Sequence, residues 1–408
     1  MKKRFLSAGL AVVMAASLTA CGGSDSASTT TAAAGEAKAE GESKAAESSA
    51  AADGASFKIG GIGPVTGGAA VYGLAVQHGA EIAVKEINEA GGINGYPVEF
   101  QFQDDEHDAE KSVNAYNTLK DWGMQALMGT VTSAPCIAVA DKTAADNMFQ
   151  ITPSGSAVEC AANPNVYRVC YSDPAQGTAS AKYIGEHKLA SKVAVIYDSS
   201  DVYSSGIYEK FAQEAPNQGI EVVDAEAFTA DSNKDFSTQL QKAKESGAEL
   251  VFLPIYYTEA SLILQQANTM GFAPQFFGCD GMDGILQVQN FDVKLAEGLM
   301  LLTPFAADAT DDLTVKFVKS FEDAYGETPI QFAADAYDAM YILKAAMEEA
   351  NVTPDMSASD ICDAMEGVMT QIKVDGLTGS NMSWTEDGEP EKDPKAVQVV
   401  DGAYKAME

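Results

Sequence analysis

Histidine is scarce in this sequence, cysteine sparse and positive charge in short supply, and each shortage removes a class of function. Three histidines (His78, His107, His187) and six cysteines, with no CxxC and no Cys/His cluster, argue against a metal site. Lysine and arginine total 26 against 59 aspartates and glutamates, a net charge of −33, and the basic residues form no stripe. Such a surface repels nucleic acid and anionic lipid. The phosphate cradle GxxxxGK[ST] and the nucleophile elbow GxSxG are missing. The dinucleotide fingerprint GxGxxG fails because Thr66 stands where the third glycine after Gly61 and Gly63 belongs. No histidine is expected in a loop at a strand end, so a Ser-His-Asp arrangement has little support. Asp104 and Asp105 end a strand, but adjacent strand residues point to opposite faces and make no acid/base pair. No cofactor is expected.

The N-terminus decides the compartment. Met1-Lys2-Lys3-Arg4 is a basic start, and Phe5 to Thr19 is apolar yet too short for a good membrane span. Leu18-Thr19-Ala20-Cys21 resembles the lipobox of bacterial lipoproteins. That resemblance implies a signal peptide over 1–20, a diacylglycerol on the Cys21 thiol, and a body tethered to the outer face of the cytoplasmic membrane. Losing Lys2, Lys3 and Arg4 takes the net charge from −33 to −36. No other segment is apolar enough to cross a bilayer. Residues 21–55 after the cysteine are almost all small or charged, with no aromatic or branched aliphatic side chain. They cannot bury enough surface to offset ordering entropy, which predicts a disordered spacer.

From Phe57 the chain reads as a complete βαβ unit. A strand over Phe57 to Ile62 meets the breaker Gly63-Pro64-Val65-Thr66-Gly67-Gly68. A helix is predicted from about Val76 to Ala90, with Ala80, Ala83, Val84 and Ile87 on one face, and Gly91-Gly92 ends it. Val98, Phe100 and Phe102 alternate with polar residues as the second strand. The unit implies a parallel sheet with a right-handed crossover, and ligands bind at the carboxyl edge of such sheets. The same rhythm continues, with helices expected over Ala109–Trp122, Ala134–Asn147 and Gln176–His187 and a buried strand at Val193–Tyr197. At 408 residues, so many βα units fit an α/β protein of two doubly wound lobes.

The segments after each strand bring together Tyr72, Thr130-Val131-Thr132-Ser133, Ser154, Ser156, Tyr203, Tyr256 and Asp280. They supply hydroxyls, helix-start N–H groups, aromatic faces and one lone carboxylate. Taken singly, Ser133 and Ser156 are helix caps, Asp280 a turn residue and the tyrosines packing residues. Their shared place at strand ends favours a binding reading.

At these residues a resemblance becomes specific. IGGIGPVTGGAAVYG, GAEIAVKEINEAGGINGYPVEFQFQDDE, MGTVTSAP, ITPSGSA, YRVCYSDPAQG and FFGCDG resemble the branched-chain amino-acid-binding proteins, the leucine–isoleucine–valine-type substrate-binding subunits of ABC transporters. The resemblance runs from about Phe57 to the C-terminus. It implies the periplasmic-binding-protein type I fold, two Rossmann-like lobes joined by a three-stranded hinge. One lobe is expected over 56–173 with 303–383, the other over 174–302 with 384–408. It further implies that Ser133, Ser156 and the backbone around Ser154 hold a ligand carboxylate and that Asp280 holds its ammonium. Tyr72, Tyr203 and Tyr256 are expected to close around it, with Val131 and Thr132 nearby.

Three departures accompany the match. Asp280 is a methylene shorter than the family's usual Glu. His107 and Thr132 stand where the best-known members carry a cysteine pair. Cys136, Cys160 and Cys170 are available for a different disulfide in an oxidising location, with no pairing fixed by sequence. Asp335 is left open between a cleft role and a packing role. The expectation is a monomeric, non-enzymatic receptor that delivers a small aliphatic amino acid to a permease and its ATPase. The alternatives are a receptor for an amide, urea or aromatic acid, a sensor for a membrane signalling partner, and an extracellular NAD-dependent or hydrolytic enzyme, the last disfavoured by the missing motifs.

Overall fold

A computed structural model describes residues 54–407. The expected leader, Cys21 and nearly all of the 21–55 spacer lie outside the described residues. The opening unit forms as its pattern predicts. Strands β1 (Phe57–Gly63) and β2 (Val98–Asp104) are parallel neighbours, Phe57 opposite Val98 and Gly63 opposite Asp104. Helix α1 (Ala70–Glu89) makes the crossover. With β3 (Ala126–Gly129), β4 (Gln150–Thr152) and β5 (Val166–Arg168) they complete a 5-stranded sheet of order β2-β1-β3-β4-β5. Helices α2 (Ala109–Trp122) and α3 (Ser133–Asp146) connect these strands. The order reverses between β1 and β3, which opens a crevice at their carboxyl ends.

The second sheet repeats the plan. Strands β6 (Lys192–Asp198), β7 (Glu221–Phe228), β8 (Leu250–Leu253), β9 (Gln275–Gly278) and β10 (Met300–Thr303) are parallel. They alternate with α4 (Asp173–Glu186), α5 (Val202–Glu214), α6 (Ser237–Glu245) and α7 (Tyr257–Thr269). Helices α8 (Asp312–Tyr325), α9 (Gln331–Glu349) and α10 (Ala358–Met369) return to the first lobe, where α8 and α9 pack on α1 and α10 on β3. A short ribbon, β11 (Ser383–Trp384) with β12 (Pro390–Glu391), precedes β13 (Lys395–Val400) and β14 (Ala403–Ala406). Strand β13 pairs antiparallel with β10 and β14 antiparallel with β13, giving the 7-stranded order β14-β13-β10-β9-β8-β6-β7. The chain therefore passes between the lobes over 169–172, 304–311 and 370–394. Among the described residues no helix is long and apolar enough to cross a membrane.

Several helices start earlier than their sequence signals suggest, and two of them bear on the site. Helix α1 begins at Ala70 rather than Val76, so Tyr72 lies in its first turn and not in a loop. Gly73 inside that turn looks like a breaker, but a Cβ there would sit 1.9 Å from the Pro64 carbonyl oxygen. Close approach of the loop to the helix, not helix termination, explains the glycine. Helix α4 begins at Asp173 rather than Gln176, with Pro174 in its first turn, a position proline favours because no N–H is needed there. The disulfide that the sequence left open does not form among the described residues. Cys136, Cys160, Cys170, Cys279 and Cys362 are free buried thiols. Cys136 Sγ instead accepts from Gln150 Nε2 at 3.6 Å and Cys160 Sγ donates to the Ser133 carbonyl at 3.6 Å.

Helix α9 is buried on nearly every face, as expected for a helix held between other elements. Its contact with α1 is close because Gly79 lies against the Ala333 backbone: a Cβ at 79 would meet the Ala333 carbonyl oxygen at 2.1 Å. Alanine gains about 1 kcal/mol of helix propensity over glycine, but the clash is with backbone and costs about 1–3 kcal/mol or more. Gly79→Ala is therefore expected to lower the thermal unfolding temperature by several degrees, while Gly68→Ala, with open space around it, leaves it unchanged. A G79A melting point equal to wild type would contradict the packing of α1 on α9.

Candidate functional site

The loop after β1 is organised by the carboxylate that ends β2. Asp104 Oδ1 accepts from the Val65 and Glu106 N–H groups at 3.0 and 2.9 Å, and Oδ2 accepts from the Thr66 hydroxyl at 2.6 Å. The loop thereby presents α1 toward the second lobe. There Tyr72 accepts from the Tyr257 N–H at 3.1 Å and donates to the Gly281 carbonyl. The Val71 N–H donates to the Tyr257 hydroxyl at 3.3 Å, and Thr258 Oγ1 donates to the Gly68 carbonyl at 2.9 Å. These bonds join the two lobes across the crevice.

One cavity gathers every residue singled out by sequence for ligand contact. Tyr72, Val131, Thr132, Ser133, Ser154 and Ser156 line it from the first lobe, and Tyr203, Tyr256 and Asp280 from the second, with Gly281 and Phe332. Its free volume is about 10 Å³, about the room one water needs. Aromatic rings fill the rest: Tyr203 and Tyr256 stack with centroids 4.8 Å apart, and Tyr72 lies 4.3 Å from Phe332 and 5.7 Å from Tyr256.

On the first-lobe wall the hydroxyls have distinct duties. Ser133 opens α3 without capping it, which corrects its expected capping role. Its Oγ accepts instead from the Ser156 and Ala157 N–H groups at 3.3 and 3.1 Å. With both lone pairs engaged, its proton is the free donor. Ser154 donates to the Val131 carbonyl at 2.7 Å, and the buried Ser156 Oγ has no hydrogen-bond partner among the described residues. Thr132 Oγ1 is 2.8 Å from His107 Nδ1, so the pair standing where relatives carry cysteines is joined by a hydrogen bond. His107 does lie in a strand-end loop, contrary to expectation, because β2 stops at Asp104. Burial pushes its imidazole pKa down, and its ring meets Tyr256 edge-on at 5.6 Å.

On the opposite wall Asp280 is 8% exposed and held by neutral donors. Its Oδ1 accepts from the Tyr203 hydroxyl and the Gly281 N–H, both at 2.7 Å, and its Oδ2 from Gln176 Nε2 at 3.0 Å. Burial raises its pKa to about 6 against these three donors, which lower it. The gap from the ordinary 3.8 to about 6 corresponds to about 3 kcal/mol net against the charged form, after the three hydrogen bonds have offset part of the burial. Gly281 beside it is there for closeness, since a Cβ would lie 2.6 Å from the Tyr203 hydroxyl oxygen. The Asp-Gly pair is thus more than a turn dipeptide.

Asp335 is elsewhere. It lines a neighbouring hinge cavity of about 210 Å³ behind Asp280, with Lys392, Tyr171 and Gln176. Its Oδ1 lies 3.8 Å from Lys392 Nζ. Burial pushes the Asp335 carboxyl pKa up against the opposing pull of Lys392.

Sequence reasoning missed Gln176, Phe332 and, most consequentially, Arg168. Arg168 is fully buried. Its Nη1 donates to the Gly155 and Ser156 carbonyls at 3.3 and 2.6 Å, and its Nη2 to the Ala157 and Val158 carbonyls at 3.0 and 3.3 Å. Its Nε lies 3.3 Å from Glu389 Oε1. The guanidinium fork holds the loop carrying Ser154 and Ser156 in place. The available signal was an arginine inside the strand Val-Tyr-Arg-Val, the only arginine among the described residues. No cluster of metal-ligating side chains occurs among the described residues.

Residues 56–403 match the family described as periplasmic binding protein. The chain is 31% identical over 302 residues to Leu/Ile/Val-binding protein homolog 3 of Brucella melitensis, covering 74% of this chain and 81% of that one. It is 29% identical to the leucine-, isoleucine-, valine-, threonine- and alanine-binding protein of Pseudomonas aeruginosa, covering 72% and 78%. The crystal structure of a branched-chain amino-acid transporter substrate-binding protein from Streptococcus pneumoniae in complex with isoleucine superposes with a TM-score of 0.77. It shares 26% identity and covers 86% of this chain and 99% of its own.

Removing the Arg168 fork would strand four carbonyls and leave Glu389 unpaired. Arg168→Met is expected to cost about 3–5 kcal/mol of folding stability, read by denaturant unfolding. A loss below 1 kcal/mol would mean that the loop holds itself.

Proposed function

Given that the chain belongs to the periplasmic binding protein family, we propose that it captures a small aliphatic α-amino acid, of the branched-chain class, and delivers it to an ABC permease. The observation that carries this reading is a single buried carboxylate, Asp280, facing the hydroxyls of Ser133, Ser154 and Ser156 across one cavity shared by two lobes. A zwitterion leaving water needs both charges compensated. Ser133, with its proton free, and Ser156, with its hydroxyl unpaired, serve the ligand carboxylate together with the N–H groups at the start of α3. Asp280 serves the ammonium, with Tyr203 exchanging its hydrogen bond for the ligand's. Tyr72, Tyr256, Val131 and Thr132 complete the enclosure. The first lobe comprises 56–173 with 303–383 and the second 174–302 with 384–408, and their parting admits a ligand that the closed volume of about 10 Å³ cannot take.

The protein acts as a binding subunit without catalysis of its own. His107, whose ring nitrogen is bonded to the Thr132 hydroxyl at 2.8 Å, is not among the residues lining the cavity that holds Asp280. We place it outside the cytoplasmic membrane, tethered as a monomer through Cys21, with the 21–55 spacer giving the lobes reach toward the permease. The shared names of the Brucella and Pseudomonas relatives and the isoleucine complex of the Streptococcus protein support the ligand class.

A thermal-shift screen against the twenty amino acids, with urea, short amides and benzoate, tests the assignment, since a ligand that binds only the folded state raises its melting temperature. Shifts are expected with leucine, isoleucine, valine or alanine; a shift confined to a compound without an ammonium would overturn the role given to Asp280. Asp280→Ala is expected to weaken binding by about 3–5 kcal/mol, the cost of leaving a buried charge unpaired. A change in Kd under tenfold would remove Asp280 from the ammonium role.

The pKa of about 6 sets a pH dependence. The carboxylate form is needed for the ammonium, so affinity measured by calorimetry is level above about pH 7 and falls toward tenfold per pH unit below 6. In the ligand-free protein the same group acts oppositely. Its folded pKa is raised, so its contribution to stability is greatest below the unfolded value and is lost as pH rises through 6. Asp280→Asn flattens both profiles if Asp280 is responsible.

A further inference from the structure

A second cavity, of about 370 Å³, shares no lining residue with the amino-acid cleft and is walled by both lobes, with Asp283 in its lining. Leu286 and the β13–β14 hairpin line it from the lobe of the 7-stranded sheet; Phe305, Val318 and Ile330, from the approach to α8 and α9, line it from the other. Its size and largely apolar wall fit a small-molecule pocket.

Two buried polar groups face this space without a hydrogen bond of normal geometry among the described residues. Asp283 is 5% exposed, and its Oδ2 accepts from the Gln331 N–H at 2.8 Å. Its Oδ1 and the Tyr404 hydroxyl are neighbours, yet neither is satisfied. A buried carboxylate oxygen left in this way is costly unless a donor meets it. The rim adds Asp308, Glu322 and Glu327 against a single cation, Lys405, which is itself drawn to Asp308 at 3.8 Å. The field in the pocket therefore favours positive charge.

We propose that this inter-lobe pocket is a second ligand site, one that takes a small organic cation: a primary ammonium on an apolar body. The ammonium donates to Asp283 Oδ1 and to the Tyr404 hydroxyl oxygen, and the body packs against Phe305 and Ile330. Because the occupant touches both lobes, it favours the closed arrangement. It therefore raises affinity in the amino-acid cleft, and the amino acid raises its affinity in return. The site does not depend on which amino acid the cleft accepts.

Phenethylammonium chloride is a suitable probe, titrated calorimetrically against the whole protein at matched sodium chloride, with phenethyl alcohol as the uncharged control. The ammonium is expected to bind and the alcohol to bind at least tenfold more weakly. Asp283→Asn, and independently Ala307→Phe, which fills the pocket mouth, should each weaken the ammonium at least tenfold while keeping a wild-type unfolding transition. Asp280→Ala should leave its binding intact. With the amino acid found by screening, saturating phenethylammonium should tighten binding roughly fivefold or more. No binding to the wild type, equal binding to D283N and A307F, or loss of binding in D280A, which would put the probe in the amino-acid cleft, would each overturn the proposal.

Discussion

Asp280 is a carboxylate taken out of water and surrounded by neutral donors alone. Three hydrogen bonds, from Tyr203, Gly281 and Gln176, offset part of its desolvation but leave its pKa near 6. Much of the surrounding architecture follows from holding that charge there. Helix α4 must begin at Asp173 for Gln176 to reach it. Position 281 must be glycine for Tyr203 to reach it. A group held at a cost is poised to gain from a cation, and an amino acid brings one.

The opposite wall solves the complementary problem without a formal charge at the surface. A bare arginine in the cleft would pair with Asp280 in place of a ligand ammonium and pull the lobes together with no ligand between them. Arg168 sits one layer back, spending its donors on the carbonyls of residues 155–158. The loop it holds offers the Ser156 hydroxyl to the cleft, and its N–H groups hold the Ser133 oxygen so that the proton points free. Neutral donors on one lobe and the acid on the other let a molecule that spans both add to the direct bonds that Tyr72 and Thr258 make between the lobes.

Much of this was legible in the chain. The βαβ rhythm, the parallel sheets and the residues that gather in the cleft could be read because strand-end loops share one edge by topology, whatever the side chains do. The start of α1 could not, since Gly73 looks like a breaker until Pro64 is seen lying 1.9 Å from where its Cβ would be. Ser133 is legible as a cleft residue at a helix start, but the Ser156 and Ala157 N–H groups that its oxygen serves belong to a segment that sequence cannot place beside it. Arg168 left a faint trace, a charge in an apolar strand, without any hint of the carbonyls it would find.

The sequence by itself determined the alternation of elements, the two-lobe class, the absence of the usual catalytic and phosphate-binding motifs, and which loops meet. Those properties depend on periodicity and turn chemistry, which are local. Tertiary structure alone decided the Tyr203–Tyr256 stack that narrows the cleft, the free thiols of Cys136, Cys160 and Cys170, the withdrawal of Asp335 into the hinge, and the charge burial that shifts Asp280. Each of these turns on distances of a few ångströms between residues far apart in the chain, and packing and desolvation act at that range.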